Sequence, residues 1–166
     1  MAKIKKNPPP PLRFLFTHPA HLIACGFGSG LAPFASGTVG TLFAWLSFPL
    51  LRPWLSDAQF LIFLLLCFVG GVFAAHKTGQ DLGVVDHGSI VWDEIVPFWL
   101  VLLFCPAPWF WQCIAFLLFR FFDIFKPQPA RFFDEKVKNG FGVMADDLVA
   151  AGYTLLSLAL LRFLVT

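Results

Sequence analysis

The 166 residues amount to about one domain, and 58% of them are apolar against only 13% charged, where a soluble domain carries roughly 25% charged residues. A formal charge of +2 is too small to argue for nucleic acid, and the four cysteines form no C-x-x-C pair, so neither a zinc site nor a disulfide framework is indicated. Uncharged runs long enough to span a bilayer set the class instead: an all-α, polytopic integral membrane helical bundle.

In chain order, residues 1–11 read as a disordered, proline-rich lead. Lys3, Lys5 and Lys6 resemble the start of a signal peptide, but prolines 8–11 stand where its apolar stretch would begin. Residues 12–166 then form a single membrane-embedded domain. The stretch 12–24 is apolar but interrupted by Arg13, His18, Pro19 and His21, which fits an interfacial helix better than a span.

Four apolar blocks follow. The first covers 38–51. The second, 58–75, holds 18 residues without a charge, about 27 Å as a helix and enough to cross the hydrocarbon core. The third, 95–119, is broken at Cys105-Pro106-Ala107-Pro108, and the fourth, 148–161, is capped by Arg162. Counted with the break, they predict about five membrane helices. Two of these form a hairpin at Pro106 and Pro108, because neither proline supplies an N–H and Ala107 is pushed off the helical region. The positive-inside rule favours the same hairpin, since it leaves only Arg52 and Arg162 of the 12 basic residues on the outer face. It also gathers every carboxylate except Asp57 on the inner face.

The inner segments carry the candidate chemistry. Residues 26–40 hold five glycines with Ser29, Ser36 and Thr38. Backbone N–H groups around Gly28, Ser29 and Gly30 could wrap an anion, with Thr38 as N-cap of the following helix. The next loop supplies Asp81, Asp86, His87, Asp93 and Glu94, the last two opening a helix. Carboxylates about 4 Å apart repel by roughly 4 kcal/mol at an effective dielectric of about 20, so a cluster of this kind is comfortable only in water or around a cation. Arg120, Asp123 and Lys126 follow at i,i+3 spacing, placing two cations beside a carboxylate at the membrane boundary. Asp146 and Asp147 open the last block. Adjacent helical residues point about 100° apart, so each acidic pair supplies one metal ligand while its neighbour orients or stays solvated. Oxygen-only ligands beside a phosphate favour Mg²⁺, and His87 is the candidate proton donor to a leaving oxygen.

Taken together, residues 26–40, Asp86-His87-Gly88-Ser89-Ile90-Val91-Trp92-Asp93-Glu94, Arg120-Phe121-Phe122-Asp123 with Lys126-Pro127-Gln128-Pro129, and Gly140-Phe141-Gly142-Val143-Met144-Ala145-Asp146-Asp147 resemble the phosphatidylglycerophosphatase A family. The resemblance runs over roughly residues 17–161, in order and at similar spacing. Pro97 and Asn139 stand where that family more often has a small residue or glycine.

The resemblance implies a bacterial inner-membrane enzyme with its site facing the cytoplasm. It implies hydrolysis of phosphatidylglycerophosphate to phosphatidylglycerol and inorganic phosphate, with Mg²⁺ required. On this reading Asp86, Asp93, Glu94, Asp123, Asp146 and Asp147 are the metal candidates. Arg120 and Lys126, with Gly28, Ser29, Gly30 and Thr38, hold the phosphate, and Asp123, Arg120, Lys126 and His87 are the catalytic candidates. The D-x-D-x-T, C-x₅-R and S-G-H signatures of other phosphatases are missing, which favours direct attack by metal-activated water over a covalent phosphoenzyme. The acyl chains are expected to stay in the bilayer between the third and fourth blocks. The partners are then the lipid substrate and the bilayer, with oligomeric state left open. The alternative is a divalent-cation-binding or transport protein without hydrolytic activity; it predicts polar residues at mid-membrane, and the apolar blocks hold almost none.

Overall fold

The computed structural model describes residues 7–165; the first six residues of the lead and Thr166 lie outside the described residues. Of the lead, residues 7–11 carry no helix or strand, and Pro11 has the polyproline dihedrals φ −65°, ψ 150°. The stretch expected as one interfacial helix is two short pieces, a 3-10 turn at Leu12–Phe16 and α1 at Pro19–Ala24. His18 breaks them apart: its backbone is extended at φ −156°, its ring nitrogen accepts from Ala20 N–H at 3.1 Å, and Pro19 supplies the first helical position.

A second 3-10 stretch, Gly26–Leu31, leads to α2 (Ser36–Leu51), and a third, Arg52–Trp54, to α3 (Asp57–Asp81). Ser56 and Gln59 close a capping box at the start of α3. Then come α4 (Trp92–Phe104), α5 (Trp109–Phe125), the short α6 (Ala130–Lys136) and α7 (Gly140–Val165). The described residues are all-α, with no strand among them. The break at Cys105-Pro106-Ala107-Pro108 is present as expected, and α4 and α5 form a hairpin across it.

Two helices, α3 and α7, are long and apolar enough to cross a membrane. The sequence predicts about five, but α2, α4 and α5 have 16, 13 and 17 residues, below the ~20 that a straight span requires. The prolines that make the hairpin also shorten both of its arms.

Helix α4 occupies the centre. Every residue from Trp92 to Trp99 is buried, as are Val101 and Leu102, and α2, α3, α5 and α7 all pack against it. Trp92 Nε1 donates to Cys67 O at 3.0 Å and Trp99 Nε1 to Ala44 O at 3.0 Å, pinning α4 to α3 and α2. Glycines set the closest approaches. A side chain at Gly40 would strike Val91, and one at Gly140 would strike the Val72 carbonyl. Much of the outer surface is apolar: Leu46, Leu50, Leu65, Leu66, Phe73, Leu117, Leu156 and Leu160 are each more than half exposed.

The hairpin brings the helix ends together as the charge argument requires. The N-terminal ends of α2, α4 and α7 and the C-terminal end of α5 share one end of the bundle, joined through Glu94, Arg120, Asp123 and Asp147. Arg52 and Asp57 pair at the opposite end.

Candidate active site

Asp93 and Glu94 stand in the first turn of α4, as expected. Asp146 and Asp147 do not open their helix. The run from Gly140 to Ala145 is already helical, because its glycines admit the backbone of α3 and the Val137 carbonyl, so the aspartates sit about two turns inside α7. Arg120 and Asp123 pair at i,i+3 with 2.7 Å between Nη1 and Oδ2.

Each acidic pair divides. Glu94 and Asp147 meet Asp123, and these three buried residues bring one carboxylate oxygen apiece within 4.8 Å of the other two. At that separation each pair repels by roughly 3 kcal/mol at an effective dielectric of about 20. Arg120 Nη1, 3.3 Å from Glu94 Oε1, offsets part of this. Asp147 Oδ1 is buried with no hydrogen-bond partner among the described residues. An all-oxygen group with an unpaired buried carboxylate atom fits a hard divalent cation, and these three residues could hold one.

The remaining members frame that group. Asp93 lies close enough to Asp147 to repel it, and Asp86 close enough to repel Asp146. Asp146 is bonded to Lys126 Nζ, which also reaches Asp134 Oδ1 at 3.2 Å. Burial opposes the charge on Lys126, but Asp147 and Asp146 outweigh it and hold the ammonium above the ordinary lysine pKa. Lys126 ends α5 in the left-handed region at φ 44°, which turns its side chain back toward α7. Expected as a phosphate ligand, it lines the cleft while pairing with two carboxylates.

A cleft of about 1060 Å³ lies over the three carboxylates. Its walls include Ser36, Gly37 and Thr38 of α2, Asp86, Asp93, Arg120 and Lys126. The Arg120 Nε–H is buried without a hydrogen-bond partner among the described residues. Helix α2 starts at Ser36 behind Ala35, so Thr38 is in the first turn and is not the N-cap. The first N–H groups of that turn have no partner within the helix.

Gly28, Ser29 and Gly30 are not brought into the cleft. The N–H groups of Gly28 and Gly30 both donate to Cys25 O at 3.0 Å, and Ser29 Oγ donates to Gly26 O at 2.8 Å. The loop spends its donors on itself. His87 is buried outside the cleft lining, and its Nδ1 accepts from Ser89 N–H at 3.1 Å. Asp81 is likewise elsewhere, held by Lys77 at 2.6 Å and His21 at 3.0 Å.

Along the expected acyl-chain path between the third and fourth blocks, α5 and α7 pack against each other and Phe122 stacks on Tyr153 with centroids 5.3 Å apart. Two contributors escaped the sequence reading. Asp134 anchors Lys126 from α6, with only its position in a charged turn as a signal. Gly37 presses directly on the Glu94 carboxylate; the small-residue run around it was the available sign.

A sequence profile described as phosphatidylglycerophosphatase A matches residues 22–162. The chain belongs to the phosphatidylglycerophosphatase A family. A family member of that name from Haemophilus influenzae is 51% identical over 140 residues, covering 84% of this chain and 86% of that protein. The Escherichia coli phosphatidylglycerophosphatase A is 43% identical over 139 residues, 83% of this chain and 80% of its own. A Bacteroides thetaiotaomicron protein, named provisionally as a phosphatidylinositol-3-phosphatase, is 39% identical over 155 residues, 87% of this chain and 94% of its own. No solved structure gives a significant match.

Proposed function

We propose that this protein is a lipid phosphatase that removes the terminal phosphate of phosphatidylglycerophosphate, releasing phosphatidylglycerol and inorganic phosphate. The observation that carries this reading is the buried group of Glu94, Asp123 and Asp147 beside Arg120 under an open cleft, in a chain of this family. Mg²⁺ is the cation proposed for the three carboxylates, where it supplies positive charge to the phosphate oxygens and Lewis acidity to the attacking water.

Arg120 is tied down by Glu94 and Asp123 through Nη1, and as a cleft-lining cation it is placed to attract a phosphate group. The open N–H groups at the start of α2, lined by Ser36, Gly37 and Thr38, face the same cleft and favour an anion there. Ser36 Oγ donates to Gly88 O across to the Asp86 loop and steadies that wall. Lys126 holds Asp146 and Asp134, and so fixes the α5 end against α6 and α7.

The exposed apolar flanks support placing the protein in a bilayer as one multi-pass domain, with α2, α4 and α5 completing the bundle around α3 and α7. The excess of basic residues at the cleft end supports a cytoplasmic site in the bacterial inner membrane. A cation-transport role is not favoured, because the carboxylates gather at one end of the helices.

The test is phosphate release from phosphatidylglycerophosphate by the purified protein, with Mg²⁺ and then with excess chelator. Release that needs the metal is expected; release unaffected by chelator would refute the metal-dependent reading.

A further inference from the structure

The acyl chains need a route to the charged cleft, and α2 and α5, which both line it, meet far more loosely than α5 and α7 do. Helices α2 and α5 run antiparallel and meet through side chains at two levels. Arg120 Nη1 is 3.5 Å from Thr41 Oγ1, and below it Trp45 stacks on Phe116 with centroids 5.6 Å apart and donates to Gln112. Above Thr41 the helices part, and the cleft opens between residues 32–38 and 120–126.

On the α2 and α5 sides the rim of this opening carries large apolar side chains, although the floor is acidic and the α6 side holds Arg131 and Glu135. Phe34 is 85% exposed and Phe125 69%, and both line the cleft with Ile124. A soluble phosphate compound gives no reason for large aromatic side chains at the mouth of such a site; an amphiphile does. The stripe continues down both helices, with Leu42 and Leu46 on α2, and Phe121 and Leu117 on α5, all exposed. At about 100° per residue, these positions lie roughly 60–140° round from the contacts that join the helices. Because the helices are antiparallel, both sets fall on the same outer side of the seam.

We infer that the α2–α5 seam is the lipid route. The phosphate of a phosphomonoester lipid lies over Glu94, Asp123 and Asp147, and its acyl chains pass between Phe34 and Phe125 and lie along the groove flanked by Leu46 and Leu117. The inference rests on the lipid phosphatase reading and adds where the chains go.

Two measurements on the purified full chain test it. The first compares long-chain phosphatidylglycerophosphate in mixed micelles with a water-soluble short-chain analogue, in the double variant Leu46→Asn/Leu117→Asn. Both side chains are exposed, so the fold is not at stake, and Leu65→Asn/Leu160→Asn on the flanks of α3 and α7 serves as the matched control. The expected result is about a tenfold loss of kcat/KM on the long-chain lipid, no comparable loss on the short analogue, and near-normal turnover of both in the control. Equal loss on both substrates, or equal loss in the control pair, would overturn the seam assignment.

The second measurement needs no turnover. A phosphatidic acid probe with a photoactivatable acyl chain should label peptides containing 42–50 and 117–125, and an excess of unlabelled long-chain phosphatidic acid should prevent it. Labelling confined to α3 and α7 would refute the route. If the wild type hydrolyses neither substrate, the phosphatase reading fails on its own while the labelling still decides the route.

Discussion

Replacing Asp147 by Asn should separate the two roles of the carboxylate group in opposite directions. Asp147 takes part in two of the three close pairs within 4.8 Å, so its charge costs roughly 6 kcal/mol of repulsion at an effective dielectric of about 20. Its attraction to Arg120 and Lys126 returns much of that. The expected balance in metal-free protein is a gain of about 1–2 kcal/mol, or roughly 2–8 °C in Tm for a chain of this size. With Mg²⁺ the order reverses. A cation at 100 times its dissociation constant stabilises the wild type by about 2.7 kcal/mol, and the variant should lose most of that shift. Turnover should fall by a factor of about 100 or more. The assay is thermal unfolding in detergent, with chelator and across a Mg²⁺ titration, alongside phosphate release. A variant that is less stable than wild type in chelator, or that keeps the full Mg²⁺-dependent shift, would refute the reasoning.

Gly37→Ala places a methyl group against the Glu94 carboxylate, which is the movable end of a side chain. Stability should change little, while Mn²⁺ affinity measured by spin resonance falls by about 10–100-fold; unchanged affinity would mean Glu94 is not a ligand. Burial holds His21 below its ordinary pKa of 6.5 although Asp81 opposes this. The unfolded chain therefore binds the proton first as pH falls, so His21 contributes fully above that pKa and the contribution is lost on acidification below it. Melting curves between about pH 5 and pH 8 should show this slope in the wild type and a flatter one in His21→Gln. In a variant without the four native cysteines, Asn139→Cys should react with an impermeant maleimide only from the cytoplasmic side and Asp57→Cys only from the other; the opposite pattern would invert the topology.

Much of this arrangement could be read from residues whose physics is local. Two prolines around Ala107 made the hairpin legible, and i,i+3 spacing made the Arg120–Asp123 pair legible. The angle between adjacent helical residues explained why Asp93–Glu94 and Asp146–Asp147 each give one member to the buried group. What escaped the sequence depends on contacts between distant segments. The glycine run before Asp146 looked like a loop, since glycine is a poor helix former, but the missing side chains are what let α7 start against the Val72 carbonyl. The glycines at 28 and 30 looked like an anion cradle, because nothing local shows that Cys25 O takes both N–H groups. Composition likewise registers that α4 is apolar without revealing that it is walled in on all sides.

That enclosure has a consequence for biogenesis. At 13 residues α4 is about 20 Å long, too short to be held across a bilayer alone. In the fold it is one arm of a hairpin, packed among α2, α3 and α7. Glu94 and Asp123 lie on the two arms of that hairpin, but Asp147 is supplied by α7, which follows both in the chain. On the proposed reading, a chain that stops short of α7 has the hairpin but an incomplete carboxylate group, and it should neither hold the cation nor release phosphate.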